Sequence, residues 1–254
     1  MTTCITSFTS QGYETYGREF IRTFIKHWPK SVDLVVYYEG AIKIDEMAEN
    51  VSWHPIEEVA GLSKFMERLK TFPIMSGVLN KQYNINYDAK MCRKTYMQAY
   101  SLDVYGGKVF WLDADAITHT DVPESFLDEC LPDDKFCCYL GREPWYYTES
   151  GFLGFNASHP ICDEFISKYL AVFESGLFLT LQGWHDCFAF DFIRKFIKHE
   201  EDFVNLAAHV KHGEMHPYVM SAPGKYMDHL KGPRKSKGHS QEHPLWDGGK
   251  YKTA

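Results

Sequence analysis

The sequence has no excess of basic residues, no long hydrophobic run and no CxxC pair of cysteines. Its 254 residues include 27 Lys and Arg against 34 Asp and Glu, which gives a net charge of −7. Such a balance argues against nucleic-acid binding, which depends on basic residues that neutralise phosphates. No apolar run reaches the roughly 18 residues that indicate a transmembrane helix, and the first residues lack the basic and apolar regions of a secretory signal. We therefore expect no nucleic-acid partner and no transmembrane segment.

The seven cysteines form no CxxC pair, and their number is odd. A zinc ribbon requires such pairs, and a disulfide framework normally uses an even number of cysteines. Reduced, buried thiols are the better interpretation, and they favour a cytoplasmic protein. The composition, with 44% hydrophobic and 24% charged residues, is that of an ordinary globular chain.

Strand and helix patterns alternate through the first half of the chain. Short apolar runs predict strands, and apolar residues at helical spacing predict helices. The predicted strands are 3–8, 33–38, 53–56 and 108–112, and the predicted helices are 16–28 and 88–105. This order favours βαβ units in a mostly parallel sheet flanked by helices.

The second half carries fewer strand signals. Its predicted strands are 136–139 and 151–156, and its predicted helices are 160–175 and 184–197. From about Gly213 the chain is rich in Gly, Pro, Lys and His, which indicates loops laid across the surface. The pair Gly232-Pro233 argues against a regular helix in that region.

Asp113 and Asp115 follow directly on the apolar strand that ends at Leu112. In an open α/β sheet, ligands collect beyond the carboxyl ends of the strands. Two carboxylates at such an edge supply the oxygen ligands that Mg²⁺ and Mn²⁺ prefer. A D-x-D triplet alone is common, because acids also cap helices and turns, so both interpretations stay open at this point.

A second motif lies in the basic stretch 225–237, where His229, Gly232 and Lys235 form H-x-x-G-x-x-K. A histidine can bind a metal through a ring nitrogen. A glycine lets the backbone approach a diphosphate closely, and a lysine supplies positive charge for a departing phosphate. The simpler alternative is a solvated basic tail.

The ordered pair of motifs, D-x-D at 113–115 and H-x-x-G-x-x-K at 229–235, resembles the glycogenin and galactosyltransferase family of retaining GT-A glycosyltransferases. The segments 148–156 and 184–186 are similar to the parts of that family that line the donor sugar. The resemblance implies an α/β fold of the GT-A type, with a mostly parallel central sheet flanked by helices.

The resemblance also implies one domain over 1–254. Within it, 1–115 would be the nucleotide-binding half, 116–220 the acceptor half and 221–254 a tail that closes on the diphosphate. The implied reaction is transfer of a hexose from a UDP-sugar to a hydroxyl of a glycan or other acceptor, with retention of anomeric configuration.

Individual residues receive roles from the same resemblance. Asp113, Asp115 and His229 would bind Mn²⁺ or Mg²⁺ on the diphosphate, which makes Asp113 part of the donor site as well. Gly232 and Lys235 would contact the phosphates, and Lys235 would also stabilise the leaving group during transfer.

The remaining expectations concern the two ends of the donor. Asp186 is the first candidate for contacting the sugar near its anomeric carbon, and Glu149 is the second. Phe8 or Tyr13 would lie against the uracil, whereas a basic residue of the helix before the metal strand would reach the diphosphate or the sugar. The candidates for this basic contact are Lys90 and Arg93.

Two other classes of function use similar acids. A metal-dependent phosphatase of the haloacid-dehalogenase type fits poorly, because Ala116 and Ile117 follow the triplet instead of the expected Thr or Val. A nucleotidyltransferase would need a glycine-rich basic loop after the first strand, and Ser10-Gln11-Gly12 is a poor match. A carbohydrate-binding protein with a structural metal is the non-enzymatic alternative.

Overall fold

The computed structural model describes residues 2–69, 91–143, 147–210, 216–232, 234–240 and 243–252. Seven of the described strands form one sheet, and two form a separate small sheet. The strands are β1 Thr2–Thr9, β2 Asp33–Glu39, β3 Val51–Pro55, β4 Lys108–Leu112, β5 Ala116–Thr118, β6 Cys137–Leu140, β7 Glu149–Asn156, β8 Phe203–Asn205 and β9 Met227–His229.

The helices connect these strands and cover both faces of the large sheet. They are α1 Ser10–Gly12, α2 Arg18–His27, α3 Leu62–Leu69, α4 Cys92–Tyr105, α5 Phe126–Cys130, α6 Cys162–Glu174, α7 Asp186–Ile197, α8 Pro217–Met220 and α9 Arg234–Lys237. Within the described ranges, none of these helices has the length and apolar character needed to cross a bilayer.

The large sheet has the strand order β3-β2-β1-β4-β7-β6-β8. Strands β3, β2, β1 and β4 run parallel to one another. Strand β7 is antiparallel to both β4 and β6, and β8 is parallel to β6. The prediction of an α/β fold with a mostly parallel central sheet flanked by helices is therefore confirmed.

One hydrophobic core lies on each face of this sheet. Side chains alternate between faces along a strand, so Ile5 of β1 joins one core while its neighbour Cys4 joins the other. Helices α4, α6 and α7 cover the first face, and α2 and α5 cover the second. Large aromatic side chains fill both cores, which accounts for much of the aromatic content.

The structure contains the strands and helices that long apolar patterns predict. The elements that these patterns missed are very short. Strand β4 has its predicted bounds, whereas β5, β8 and β9 have three residues each. The region from about Gly213 was expected to hold no regular helix, and its described residues contain the single turns α8 at Pro217–Met220 and α9 at Arg234–Lys237. A proline disrupts the helical turn before it and leaves the residues after it free to continue.

The small sheet joins the D-x-D segment to the distant basic segment. Strands β5 and β9 pair antiparallel, with Ala116 opposite His229 and Thr118 opposite Met227. The Leu230 amide also donates a hydrogen bond to the Asp115 carbonyl at 2.8 Å. This pairing brings a histidine from far along the chain to the carboxyl end of β4.

Candidate active site

A cleft of about 820 Å³ opens beyond the carboxyl ends of three parallel strands. Thr9 ends β1, Glu39 ends β2, and Asp113 follows β4; all three line the cleft. Ligands of open α/β sheets bind at this edge, because the strands end there and loops surround the space. The cleft is therefore the place in the described fold where a substrate is expected.

Asp113, Asp115 and His229 meet at the base of this cleft. One ligand atom from each lies within 4.8 Å of the others. The His229 Nε2 atom is 3.0 Å from Asp115 Oδ1 and 3.6 Å from Asp113 Oδ2. The structure thus brings together the three residues expected to bind the metal.

Gly151 of β7 leaves the space that the His229 ring needs. A Cβ atom on Gly151 would lie 2.9 Å from His229 Cε1 and 3.3 Å from Asp113 Oδ2. The Gly151 carbonyl also accepts a hydrogen bond from the Asp113 amide at 2.9 Å. The absence of a Cβ atom at Gly151 therefore permits the close approach of the imidazole. The Gly151 carbonyl holds the backbone of Asp113.

The ionisation states of Asp115 and His229 depend on one another. Burial alone would raise the pKa of Asp115, but His229 and Lys235 outweigh burial and hold that pKa below its ordinary value. Burial would lower the pKa of His229, but Asp115, Glu149 and Asp113 together raise it. The same negative field would attract a divalent cation, whose binding displaces the imidazole proton.

Lys94 of α4 joins the metal group to the candidate sugar-binding acid. Its Nζ atom lies 3.0 Å from Asp113 Oδ1 and 3.5 Å from Asp186 Oδ2, and it donates a hydrogen bond to the Ser150 carbonyl. Burial would lower the pKa of Lys94, but Asp113 and Asp186 raise it, so the side chain stays charged. Trp111 Nε1 donates a further hydrogen bond to Asp113 Oδ1 at 2.6 Å.

The sequence interpretation missed Lys94. It expected a basic contact from this helix and gave Lys90 and Arg93 as candidates, yet Lys94 is the residue that is buried, with only 7% of it exposed. The helical pattern gave no signal for it, because Gln98, four residues further along the same face, is polar and also buried. A buried charge needs a partner, and the partners of Lys94 lie in distant segments of the chain.

Glu149, at the start of β7, is a buried carboxylate surrounded by bases, with 2% of its surface exposed. Its Oε2 atom lies 3.1 Å from Lys231 Nζ, 3.4 Å from His216 Nε2 and 3.8 Å from an Arg142 nitrogen. Burial would raise the pKa of Glu149, but these bases and His229 lower it to about 2. Glu149 is therefore a fixed negative charge in the cleft wall.

Asp186 begins α7 and also lines the cleft, with 4% of its surface exposed. Its Oδ2 atom is buried, and among the described residues it accepts no hydrogen bond, although Lys94 Nζ lies at 3.5 Å. Carboxylates with spare acceptor capacity bind hydroxyl groups well. The position fits the expected contact with a sugar.

Gly232 and Lys235 also line the cleft. Gly232 has a φ of 64°, a conformation in which other residues are strained. The Lys235 ammonium lies 3.1 Å from Asp115 Oδ2 and 4.4 Å from the centre of the Tyr16 ring. The basic motif thus reaches the acids through both His229 and Lys235.

The part of the cleft that is expected to bind the nucleoside differs in one residue from the expectation. Phe8 lines the cleft, but Tyr13 is fully buried against Phe8 and Trp53. The proposed contact of Tyr13 with a base is corrected on this ground. The chain forms a π-helical turn at Tyr13–Gly17, which directs Tyr13 to the core, while Tyr16 lines the cleft.

Arg93 lines the cleft beside Glu39, with which it forms an ion pair. It is therefore placed near the end of β2, while the neighbouring Lys94 faces the metal acids. Lys90 lies outside the described residues.

The donor set at Asp113, Asp115 and His229 fits a divalent cation. Carboxylate oxygens with one imidazole nitrogen suit Mn²⁺, and also Mg²⁺ if water completes the shell. The second ring nitrogen of His229 is buried and has no hydrogen-bond partner among the described residues. The charges of these three residues, the distances between their ligand atoms and the types of those atoms therefore all fit a divalent cation.

By sequence, the chain matches no protein-family model and no curated protein. Its fold is similar to that of a glycosyltransferase involved in the glycosylation of the major capsid of PBCV-1. That similarity has a TM-score of 0.52 at 11% identity and covers 93% of this chain and 97% of the other. Glycosyltransferase GlyE of Streptococcus pneumoniae TIGR4 has a TM-score of 0.50 at 12% identity, over 81% of this chain.

The chain spans less than half of some of these proteins. It covers 44% of GlyE and 38% of the WbbM bifunctional glycosyltransferase, whose TM-score is 0.49 at 12% identity over 81% of this chain. The structural neighbours are glycosyltransferases, and the fold of this chain is the GT-A fold. At these identities the similarity concerns the fold alone.

Proposed function

We propose that this protein is a metal-dependent glycosyltransferase that moves a hexose from a UDP-sugar to a hydroxyl acceptor. The observation that carries the proposal is the meeting of Asp113, Asp115, His229 and Lys235 in one cleft beyond the parallel strands. Two segments far apart in the sequence supply the acids and the bases. The similarity of the fold to that of a glycosyltransferase also supports the proposal.

Asp113, Asp115 and His229 would hold Mn²⁺ or Mg²⁺. When bound, the ion would supply positive charge that stabilises a diphosphate leaving group. Lys94 orients Asp113 through its ion pair and hydrogen bond.

Lys235 and Gly232 would act on the diphosphate itself. Lys235 lines the cleft with its ammonium 3.1 Å from Asp115 Oδ2, where it could neutralise a second phosphate charge. The open space around Gly232, where an added Cβ would meet nothing within 4 Å, allows the backbone to approach the phosphates. Charge stabilisation of this kind contributes about 3 kcal/mol for each donor.

Asp186 and Glu149 would face the sugar. Asp186 has acceptor capacity for a sugar hydroxyl, and Glu149 supplies fixed negative charge near the developing positive charge at the anomeric carbon. In the transfer, the bond between that carbon and the diphosphate oxygen breaks, and a bond to the acceptor oxygen forms. The acceptor's proton passes to the departing diphosphate, so the reaction needs no separate base.

Membership of the glycogenin and galactosyltransferase family, with retention of configuration, belongs to the same proposal and is supported by the two motifs. So does the division into a nucleotide-binding half at 1–115, an acceptor half at 116–220 and a closing tail at 221–254. A cytosolic location stays a prediction; it is supported by seven cysteines without a disulfide.

The test is UDP release by the purified protein from UDP-glucose and UDP-galactose, with Mn²⁺, with Mg²⁺ and with a chelator. We expect turnover that requires the metal. Asp115→Asn and His229→Ala should each lower the rate by about 10²–10³-fold, the usual effect of removing one charge-stabilising group. His209→Ala is the matched control, because His209 is exposed, contacts the Met220 carbonyl through its ring nitrogen and is not among the residues that line the cleft.

Three results would reject the proposal. Metal-independent turnover that both variants retain would show that the assigned metal site is wrong. Release of inorganic phosphate instead of UDP would indicate a phosphatase. Binding of free glycan, with no effect of UDP and Mn²⁺ on thermal stability, would indicate a carbohydrate-binding protein.

A further inference from the structure

Residues 238–240 and 243–252, which we call the C-terminal brace, pack against the strand that carries His229. The Ser240 amide donates a hydrogen bond to Asp228 Oδ2 at 2.6 Å, and the Tyr251 hydroxyl donates another to the same oxygen. The His243 Nε2 atom lies 3.1 Å from the Met227 carbonyl. The brace therefore contacts β9 at the residues next to the metal-binding histidine.

The two sides of β9 have different partners. Successive side chains of a strand point in opposite directions, so Asp228 faces away from its neighbour His229. The His229 imidazole approaches the metal acids, whereas the Asp228 carboxylate is fully buried against the brace. Asp228 is too close in sequence to His229 for the two to move independently.

The brace also contacts the segment that follows the opposite strand, β5. The ring of Tyr251 stacks on His119 with centroids 4.2 Å apart and planes at 9°, and His243 meets His119 edge-on at 5.0 Å. The His119 amide in turn donates to the Tyr226 carbonyl at 2.8 Å. The brace thus lies across both strands of the small sheet.

The brace has a structure of its own that keeps Tyr251 in place. Asp247 Oδ1 accepts hydrogen bonds from the amides of Gly249 and Lys250, which closes a turn. Trp246 and Tyr251 form a β-bridge across this turn, and the Trp246 ring stacks on His239 at 4.0 Å. Tyr251 is therefore presented to Asp228 by a closed turn.

We propose that Asp228 is a positioning residue for His229 and that the brace, through Tyr251 and Ser240, holds the imidazole at the metal acids. The β5–β9 pair has only three residues in each strand, too few to fix a side chain without further support. The brace supplies that support from the side opposite the cleft. This inference rests on the proposed metal site at His229.

The test measures the Kd for Mn²⁺ of the full chain by calorimetric titration, alone and with UDP. Tyr251→Phe removes one hydroxyl, and Asp228→Asn removes the charge of the carboxylate. We expect each to raise the Kd for Mn²⁺ by about tenfold or more, as losing the partners that orient metal ligands does. Tyr226→Phe, which also removes a hydroxyl beside β9, should leave the Kd for Mn²⁺ unchanged.

Two further readouts separate positioning from general stability. We expect the Tm and the metal-free Kd for UDP of Tyr251→Phe to stay close to those of the wild type. If both variants instead lost metal-free UDP binding and Mn²⁺ binding to the same degree, the brace would be a structural element only, and the inference would be overturned.

The inference and the proposed function fail in different ways. If His229→Ala loses Mn²⁺ binding while Tyr251→Phe and Asp228→Asn bind like the wild type, the brace does not position His229. If wild type and His229→Ala bind Mn²⁺ equally weakly, the metal site itself is wrong, and the positioning role falls with it.

Discussion

Lys94 Nζ lies 3.0 Å from Asp113 Oδ1, so a buried ammonium neutralises one of the two acids that follow β4. The same ammonium lies 3.5 Å from Asp186 Oδ2. One lysine therefore connects the candidate metal site to the candidate sugar site. Its contacts are made inside the protein, where charges interact more strongly than at the surface.

Replacing Lys94 with methionine should destabilise the protein strongly. The change keeps most of the side-chain volume but leaves Asp113 and Asp186 without their shared cation. Removing one partner of a buried ion pair typically costs about 3–5 kcal/mol. Urea unfolding measures the loss, with Lys64→Met, at an exposed position of helix α3, as the control. A loss no larger than that of the control would show that the pair contributes little.

The sequence was sufficient where a long local pattern ends abruptly. Lys108–Leu112 is apolar after its first residue and is followed at once by Asp113, so both the strand and the acids at its end could be predicted. The motif at His229–Lys235 was recognised from its residue types and its order after the D-x-D triplet, and its role stays a prediction. Neither prediction needed information about distant contacts.

The parts that could not be predicted depend on contacts between distant segments. Strand β9 has three residues and exists because β5 lies beside it. The burial of Lys94 depends on Asp113 and Asp186, and a helical pattern alone does not show those partners. Tyr13 turns into the core because of a π-helical turn, which a search at helical spacing does not detect.

Gly151→Ala should weaken metal binding with little loss of backbone stability. The added methyl would lie 2.9 Å from the His229 ring, which must shift to relieve the contact. We expect the Kd for Mn²⁺ to rise about tenfold, the lower end of the effect of disturbing a metal ligand's surroundings. Gly61→Ala is the control, since its methyl would make only ordinary contacts with Tyr96, and Gly61 belongs neither to the cleft lining nor to the C-terminal brace. Equal affinities in both variants would mean that His229 tolerates displacement.

Stability should depend on pH through His119. Burial, followed by the nearby His243, lowers the pKa of His119 to about 4, while Asp228 opposes the shift and His27 adds to it. Because the folded pKa lies below the unfolded value of about 6.5, the unfolded chain binds more protons between these values. The stabilisation is present above pH 6.5 and is lost as pH falls through 4.

Urea unfolding at pH 7 and pH 4.5 measures this dependence. We expect the wild type to lose about 2 kcal/mol more than His119→Gln over that interval, a figure reduced for the partial exposure of the ring. The glutamine variant lacks the titrating group, so its remaining pH dependence reports all other residues. Parallel profiles of the two proteins would show that His119 does not carry the effect.

Gly232→Ala should weaken donor binding beyond its effect on folding. With a φ of 64° at Gly232, an alanine is strained by about 1 kcal/mol, and relief of that strain moves backbone that lines the cleft. Gly61→Ala is a matched control, because Gly61 has a φ of 77° and an added Cβ there would make only ordinary contacts with Tyr96. Both variants should lose similar stability in urea.

Only Gly232→Ala should bind UDP with Mn²⁺ less tightly, by about tenfold, which corresponds to 1.4 kcal/mol. The reason is that Gly232 and Lys235 belong to one short segment, and Lys235 reaches Asp115 from it. A shift of Gly232 would thus displace the ammonium as well as the backbone at the phosphates. If both variants bind UDP like the wild type, the glycine of the motif serves folding alone, and its assigned contact with the diphosphate is incorrect.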